Sequence, residues 1–155
     1  MSAKKQVETR DAYTQFVRIT TRWSDNDMYG HVNNVVYYSY FDTAVNQYLI
    51  ATGALDPIES PFIGLVVESQ CQYHAPVAFP EVLTLGVRAA HVGNTSVRYE
   101  LAVFKDDENT ASAQGHFVHV YVDRNTGRPA SLTQAMLDAL KSIRVAFDVN
   151  GQHGL

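Results

Sequence analysis

The chain has 155 residues, of which 46% are hydrophobic, and a formal net charge of −4 at pH 7. Its length and apolar content suffice for one domain with a sizeable core, and the absence of a Lys/Arg run argues against nucleic-acid binding. No apolar stretch approaches the roughly 18 residues that span a bilayer, and the first ten residues lack the apolar region of a secretory signal. The sequence therefore predicts a cytoplasmic protein without membrane insertion.

The first elements follow from polarity and alternation. Residues 1–13 are polar, and we expect them to be flexible. From Val17 to Trp23 apolar and charged residues alternate, as they do in a half-buried strand. A loop from Ser24 to Gly30 ends this strand.

A long helix is predicted over residues 33–51. Apolar side chains recur there at spacings of three and four residues, and the wide aromatic stripe indicates a helix that other structure covers. Asn33 or Asn34 can cap its start, and Gly53 is placed to end it.

Four further segments alternate in the manner of strands: Phe62 to Val77, Val82 to Val92, Thr95 to Lys105, and Ala111 to Asp123. A turn over residues 125–129 then precedes a short C-terminal helix, for which Ser131 and Gln134 form a capping box. The order of elements predicts an α+β domain in which an antiparallel sheet packs around the long helix.

The loop after the first strand carries candidate chemistry. Asp25, Asp27 and Gly30 match the start of a calcium-binding EF-hand loop, but Tyr29 at the fifth position and Val36 at the twelfth do not. The loop instead places a carboxylate beside a helix N-terminus, where free N–H groups favour an oxyanion, as thioester hydrolysis requires. The alternative from the residues alone is an Asx-turn in which an aspartate only accepts backbone N–H groups.

A resemblance favours the chemical interpretation. The segment from Arg22 to Ala44, RWSDNDMYGHVNNVVYYSYFDTA, resembles the signature of the 4-hydroxybenzoyl-CoA thioesterase-like family of hotdog-fold acyl-CoA thioesterases. The likeness continues through Tyr73 to Val77 and covers residues 14 to 145.

The resemblance implies one hotdog thioesterase domain over residues 1–155, which assembles as a homodimer or homotetramer with its active sites between subunits. It implies an acyl-CoA substrate and no cofactor, since coenzyme A is part of the substrate. Asp27 takes the catalytic position of the family. Some members carry a histidine seven residues after this aspartate, where the chain has Asn34, and it presents His31 instead.

The remaining site residues are hypotheses. The catalytic candidates besides Asp27 are His31, which orients the carboxylate or substrate, and the N–H groups near Asn33 and Asn34, which polarise the carbonyl. The substrate-binding candidates are Tyr29, Gly30, Glu68 from a partner subunit, and Arg88, Arg124 and Arg128 for the phosphates of coenzyme A. Each charged residue in this set is equally explained as a solvated surface group.

Other types of site find little support. No motif of a serine hydrolase, P-loop or Rossmann protein occurs, and His116 and His119 point to opposite faces of a predicted strand, so they cannot chelate one metal ion. Cys71, the only cysteine, has apolar neighbours and is expected to be inert. The rival functions are an acyl-carrier-protein thioesterase, a non-catalytic acyl-CoA-binding protein and a hotdog dehydratase.

Overall fold

The fold consists of five strands and two helices. A computed structural model describes residues 6–145. The elements are β1 (Gln15–Thr20), α1 (Val36–Ala51), β2 (Phe62–Tyr73), β3 (Val82–Val92), β4 (Ser96–Lys105), β5 (Ala113–Asp123) and α2 (Gln134–Lys141), with single 3-10 turns at Arg10–Ala12 and Trp23–Asp25.

The strands form one antiparallel sheet in the order β1-β3-β4-β5-β2. Side chains alternate across it, so one face of β3 and β4 is fully buried against α1. The buried residues of that face include Leu83, Leu85, Val97, Tyr99 and Leu101. The predicted α+β hotdog arrangement is confirmed.

The two ends of α1 differ in how well the sequence anticipated them. Asn33 and Asn34 are not its N-cap; the N-cap is Val35, although Asn33 Oδ1 accepts the N–H of Val35 at 3.2 Å. At the other end Gly53 has φ +78°, and the N–H groups of Gly53 and Ala54 bond back to the last turn as a Schellman motif. The predicted stop at Gly53 is thus confirmed.

The capping box predicted for α2 is wrong. Thr133 is its N-cap, and the Thr133 hydroxyl accepts the N–H of Met136 at 3.2 Å. Thr and Ser hydroxyls can both serve as N-caps, so residue type alone did not show which of the two neighbouring candidates caps the helix.

The expectation of a flexible start is wrong for residues 7–13. Tyr13 is buried against the sheet face opposite α1, where its ring contacts Phe104 and lies over the backbone of Gly86. Glu8 reaches the same face and forms an ion pair with Arg88 at 2.9 Å. Residues 1–5 lie outside the described residues.

Two predicted strands end earlier than expected. β1 ends at Thr20, and Trp23 lies in a 3-10 turn with its ring 83% exposed. β2 ends at Tyr73 rather than Val77, because His74 and Ala75 both donate their N–H groups to the carbonyl of Ser112 and the ladder stops there. β2 remains the longest strand and forms one edge of the sheet.

Candidate active site

The loop between β1 and α1 folds into a closed turn around Asp27. The N–H of Asp27 donates to the carbonyl of His31 at 2.8 Å, and the N–H of Gly30 donates back to the carbonyl of Asp27 at 3.1 Å. Gly30 has φ +81°, a conformation that favours glycine. The turn therefore holds Asp27 and His31 at its two ends.

The carboxylate of Asp27 is held by the turn at one oxygen only. Its Oδ1 accepts the N–H of Tyr29 at 2.8 Å and that of His31 at 3.5 Å. Within residues 6–145, Oδ2 has no hydrogen-bond partner. The Asx-turn suggested by the sequence is thus present, and it leaves the second oxygen available for chemistry.

Asp25, a buried carboxylate two residues before Asp27, holds the base of this turn. Asp25 is 1% exposed, and its Oδ2 accepts the Tyr40 hydroxyl at 2.6 Å and the N–H of Arg22 at 2.9 Å. Its Oδ1 accepts the Arg22 guanidinium at 3.0 Å. Burial alone raises the pKa of Asp25, but the bonds from Tyr40 and Arg22 outweigh burial, so its pKa lies below the usual range.

Of the two backbone N–H groups predicted to polarise the carbonyl, one has no acceptor among residues 6–145. The N–H of Asn33 is already taken by the carbonyl of Asp25 at 2.9 Å. The N–H of Asn34 donates to no atom of residues 6–145. Of the two predicted positions, Asn34 therefore keeps its N–H available, at a helix start, where such groups carry partial positive charge.

A cavity of about 280 Å³ opens beside this donor. It is lined by His31, Val32, Asn34, Tyr37 and residues 73–76. Tyr73, the last residue of β2, donates its hydroxyl to the carbonyl of Asn34 at 3.0 Å. His31, Asn34 and a strand end therefore meet in one concave surface next to the Asp27 turn.

Two residues that line the cavity, Val32 and Tyr37, both bond to the backbone of Val77. The N–H of Val32 donates to the Val77 carbonyl at 2.8 Å, and the Tyr37 hydroxyl oxygen accepts the N–H of Val77. Burial is the main cause that raises the pKa of Tyr37 to about 12, so its hydroxyl stays neutral. Tyr37 and Tyr73 pack edge to face with ring centroids 4.9 Å apart.

Arg88 is not a surface arginine, and its assignment to coenzyme A phosphates is wrong. It is 4% exposed and is bound by Glu8 at 2.9 Å and Glu100 at 2.8 Å, while the guanidinium lies over the ring of Tyr13. Its alternating strand position gave no sign that the N-terminal segment would cover it.

Glu68 lies on the sheet edge, away from the Asp27 turn of its own chain. It contacts His116 and, at 3.9 Å, Arg98. It also follows an irregularity in the β2–β5 register between Val66 and Glu68. Within one chain it has no contact with the cavity.

Arg124 and Arg128 lie at the far end of β2 from the cavity. Asp123 pairs with Phe62, the first residue of β2, whereas the cavity adjoins Tyr73, the last. The Arg124 side chain donates to the carbonyls of Ser60 and Pro57. Over the 12 residues of β2 the separation is about 35 Å.

Several residues at the site were not among the predicted catalytic or substrate-binding residues. Tyr37, Tyr73 and His74 line the cavity, and Asp25 supports the turn. Tyr37 belonged to an aromatic stripe that was expected only to shape the acyl pocket. Tyr73 belonged to the segment that resembles the family, but neither position was given a role in the site. For Asp25 the D-x-D spacing was a signal, but it did not distinguish the exposed aspartate from the buried one.

The other titratable groups considered in the sequence do not form a site. His116 and His119 lie on opposite faces of β5, as predicted: His119 packs against Tyr99 and Tyr121, and His116 contacts Glu68. Burial raises the pKa of Cys71 to about 11, which favours the inert thiol. Among residues 6–145 no three potential ligands gather as a metal site, and no helix is long and apolar enough to cross a membrane.

A model of the thioesterase-like superfamily matches residues 21–140, which include the turn, α1 and the whole of the sheet after β1. The chain belongs to the thioesterase-like superfamily. The resemblance seen in the sequence is therefore confirmed, and the class of enzyme that it implied, a thioester hydrolase, is that of the superfamily.

Individual proteins are similar to this chain in sequence, in fold or in both. The PA5185 protein from Pseudomonas aeruginosa strain PAO1 is 52% identical with a TM-score of 0.88, over 90% of this chain and 97% of that one. YsmA of Bacillus subtilis is 26% identical over 88% of this chain and 92% of its own length. The fold also matches Slr0204, a 1,4-dihydroxy-2-naphthoyl-CoA thioesterase from Synechocystis, at 14% identity and a TM-score of 0.75, over 83% and 96% of the chains.

Proposed function

We propose that this thioesterase-superfamily protein hydrolyses an acyl-CoA thioester to a free acid and coenzyme A, with Asp27 as its catalytic residue. The observation that carries the proposal is that the same loop holds a carboxylate with one unbonded oxygen and a backbone N–H without an acceptor, both judged among residues 6–145. Among residues 6–145, Oδ2 of Asp27 has no hydrogen-bond partner, and the N–H of Asn34, seven residues later in a residue that lines the cavity, has no acceptor. Thioester hydrolysis needs these two groups.

Two routes use this arrangement. In the first, Asp27 takes a proton from water, the water oxygen attacks the carbonyl carbon, and the oxyanion accepts the N–H of Asn34; the C–S bond then breaks and the thiolate recovers the proton. In the second, Oδ2 attacks the carbonyl carbon itself, the thiolate leaves, and water hydrolyses the resulting anhydride. A single turnover in oxygen-18 water separates them, since label in Asp27 requires the anhydride.

Replacing the carboxylate tests the assignment. Asp27→Asn is expected to lower kcat by at least about a hundredfold on any acyl-CoA that the wild type hydrolyses, while the folded state persists, because an amide neither accepts the proton nor attacks. Thiol release from an acyl-CoA panel is the measurement. Near-normal turnover by this variant contradicts the assignment.

Asp56→Asn is the matched control. Asp56 also closes an exposed Asx-turn, in which its Oδ1 accepts the N–H groups of Ile58 at 2.9 Å and Glu59 at 3.0 Å. It lies in the α1–β2 connection and does not line the cavity. This control removes a turn-capping carboxylate without touching the site, so we expect wild-type turnover.

The exposed edge of the sheet supports a homodimer. The β2 residues Val66 and Val67 are 47% and 59% exposed on an unpaired strand edge, which monomeric proteins rarely leave long and apolar. Two-fold pairing of β2 with its own copy is antiparallel and covers this edge. Tyr73 of one subunit then lies beside the beginning of β2 of the other.

This pairing offers a role for two of the predicted arginines. Arg124 and Arg128 follow β5 at the end of the sheet where β2 begins, so a partner subunit would bring its own copies towards the cavity. We therefore keep them as candidates for the phosphates of coenzyme A, acting across the dimer. Arg128 is the better candidate, because Arg124 already binds two carbonyls.

Comparing two thioester substrates, one with the phosphates of coenzyme A and one without, tests this role of Arg128. Arg128→Glu is expected to raise KM for an acyl-CoA about tenfold, and to leave KM unchanged for the matching N-acetylcysteamine thioester, which lacks phosphates. If Arg128→Glu has the wild-type KM for both substrates, Arg128 does not belong to the site.

The rival functions are tested with other substrates. Faster turnover of an acyl group on acyl-carrier protein than of the matched acyl-CoA would favour the protein-borne donor, and binding of acyl-CoA without thiol release would favour a non-catalytic role. The predicted cytoplasmic location stays a prediction.

A further inference from the structure

Asp25 joins three parts of the site that are separate in sequence. Its carboxylate binds the backbone and guanidinium of Arg22, where the chain leaves β1, and the hydroxyl of Tyr40 inside α1. Its carbonyl accepts the N–H of Asn33 at the start of α1. The loop before Asp27, the helix body and the helix start are therefore tied to one residue.

The bond to Asn33 determines which donor stays free. With the N–H of Asn33 held by Asp25, the next N–H along the chain, that of Asn34, has no acceptor among residues 6–145, and Asn34 lines the cavity. A shift of Asp25 would move Asn33 and therefore Asn34. Donors to an oxyanion lose much of their effect when displaced, since an error of about 1 Å costs on the order of a hundredfold in rate.

We propose that Asp25 is a positioning residue, which sets the Asn34 N–H against the reacting carbonyl and fixes the base of the Asp27 turn. This inference rests on the proposed function. Asp25 touches no substrate, because both carboxylate oxygens are saturated and the side chain is 1% exposed. It acts on the rate through the backbone that it holds.

Two tyrosines of α1 provide a matched test. Tyr40 donates its hydroxyl to Asp25, and Tyr48, two turns later, donates its hydroxyl to the carbonyl of Ala139 in α2. Both hydrogen bonds are buried. Tyr40→Phe and Tyr48→Phe therefore remove the same atom from the same helix, and only the first loss reaches Asp25.

We expect Tyr40→Phe to lower kcat about tenfold with KM close to the wild-type value, and Tyr48→Phe to lower the melting temperature without changing kcat. Asp25→Asn leaves a single amide oxygen for the Tyr40 hydroxyl and the three N–H groups of Arg22. We expect it to lower kcat about a hundredfold. All three are assayed well below their melting temperatures. Tyr40→Phe keeps the test decisive if Asp25→Asn does not fold.

The outcomes separate this inference from the proposed function. Equal kcat for Tyr40→Phe and Tyr48→Phe, or wild-type kcat for folded Asp25→Asn, overturns the positioning role while Asp27→Asn still tests the chemistry. Absence of thiol release by the wild type, or full activity of Asp27→Asn, overturns the proposed function itself. Hydrogen exchange at the Asn33 amide gives an independent readout: faster exchange in Tyr40→Phe supports the role, and unchanged exchange opposes it.

Discussion

His119 is a buried polar residue that the proposed chemistry does not use. It is 3% exposed among Tyr99, Phe117 and Tyr121, and within residues 6–145 its Nε2 has no hydrogen-bond partner. Burial lowers the pKa of His119 to about 4. The folded state therefore favours the neutral imidazole.

The stability of the protein is expected to depend on pH through this residue. Since the pKa of His119 is about 4 in the folded state and 6.5 in the unfolded state, its contribution is complete above pH 6.5 and falls by roughly 3 kcal/mol as pH drops to about 4. Urea unfolding between pH 7 and pH 4 measures this slope. His119→Phe should flatten the slope in that window; an unchanged slope would assign it to other groups.

At the level of single residues, the sequence identified the exposed part of the site better than the buried part. Asp27, Gly30 and His31 fall within a short segment, and local turn chemistry brings them together without help from the rest of the chain. Asp25, Tyr40 and Arg88 depend on contacts between distant segments. From the sequence alone, a charged residue on a strand or loop is expected to be exposed, unless its hydrogen-bond partner in a distant segment is known.

The start of α2 allows a test at the level of one element. Thr133→Ala is expected to lower the free energy of unfolding by about 1 kcal/mol, because the N–H of Met136 loses its acceptor. Ser131→Ala is the control and should have little effect, since Ser131 lies outside the cap. Chemical denaturation of both variants decides, and a larger loss in Ser131→Ala would restore the predicted capping box.

The N-terminal segment is a second element with a measurable role. Deleting residues 1–13 removes Glu8 from buried Arg88 and uncovers the space filled by Tyr13. We expect a loss of at least about 3 kcal/mol of unfolding free energy. Deletion of residues 1–5 leaves both contacts in place and is the control. Equal stability of the two truncated proteins would mean that the contacts of Glu8 and Tyr13 contribute little.

The kinds and order of the elements followed from periodicity, but their ends did not. Val82–Val92 was predicted to the residue because a complete apolar face runs its length. The long strand was extended to Val77 because alternation continues in the sequence past Tyr73, although the Ser112 carbonyl takes two N–H groups there and ends the ladder. A strand ends where its partner stops pairing with it, and the sequence of the strand itself does not show that position.

For the whole molecule, the decisive feature is the open edge of β2. Val67 lies near the middle of this strand, so two-fold pairing centred on the strand brings each Val67 close to its own copy. Val67→Lys would place like charges together where apolar surface is now available. We expect light scattering to show half the molecular mass of the wild type. Because the proposed site lies between subunits, we also expect thiol release to be lost.

Ile58→Lys serves as the control for this experiment. Ile58 is also an exposed large apolar residue, but it lies in the α1–β2 connection rather than on the strand edge. It should leave mass and turnover unchanged. A Val67→Lys protein with the wild-type mass would place the assembly surface elsewhere.

The turn around Asp27 makes two chemically identical atoms different. A free carboxylate shares its charge equally between its oxygens, but here Oδ1 is occupied by backbone N–H groups while Oδ2 has none within residues 6–145. In the proposed reaction, the substrate would therefore meet one oxygen in one orientation, because the turn occupies the other. A glutamate at this position would carry the same charge, but its longer side chain could not keep this asymmetry, so charge alone does not describe what the position requires.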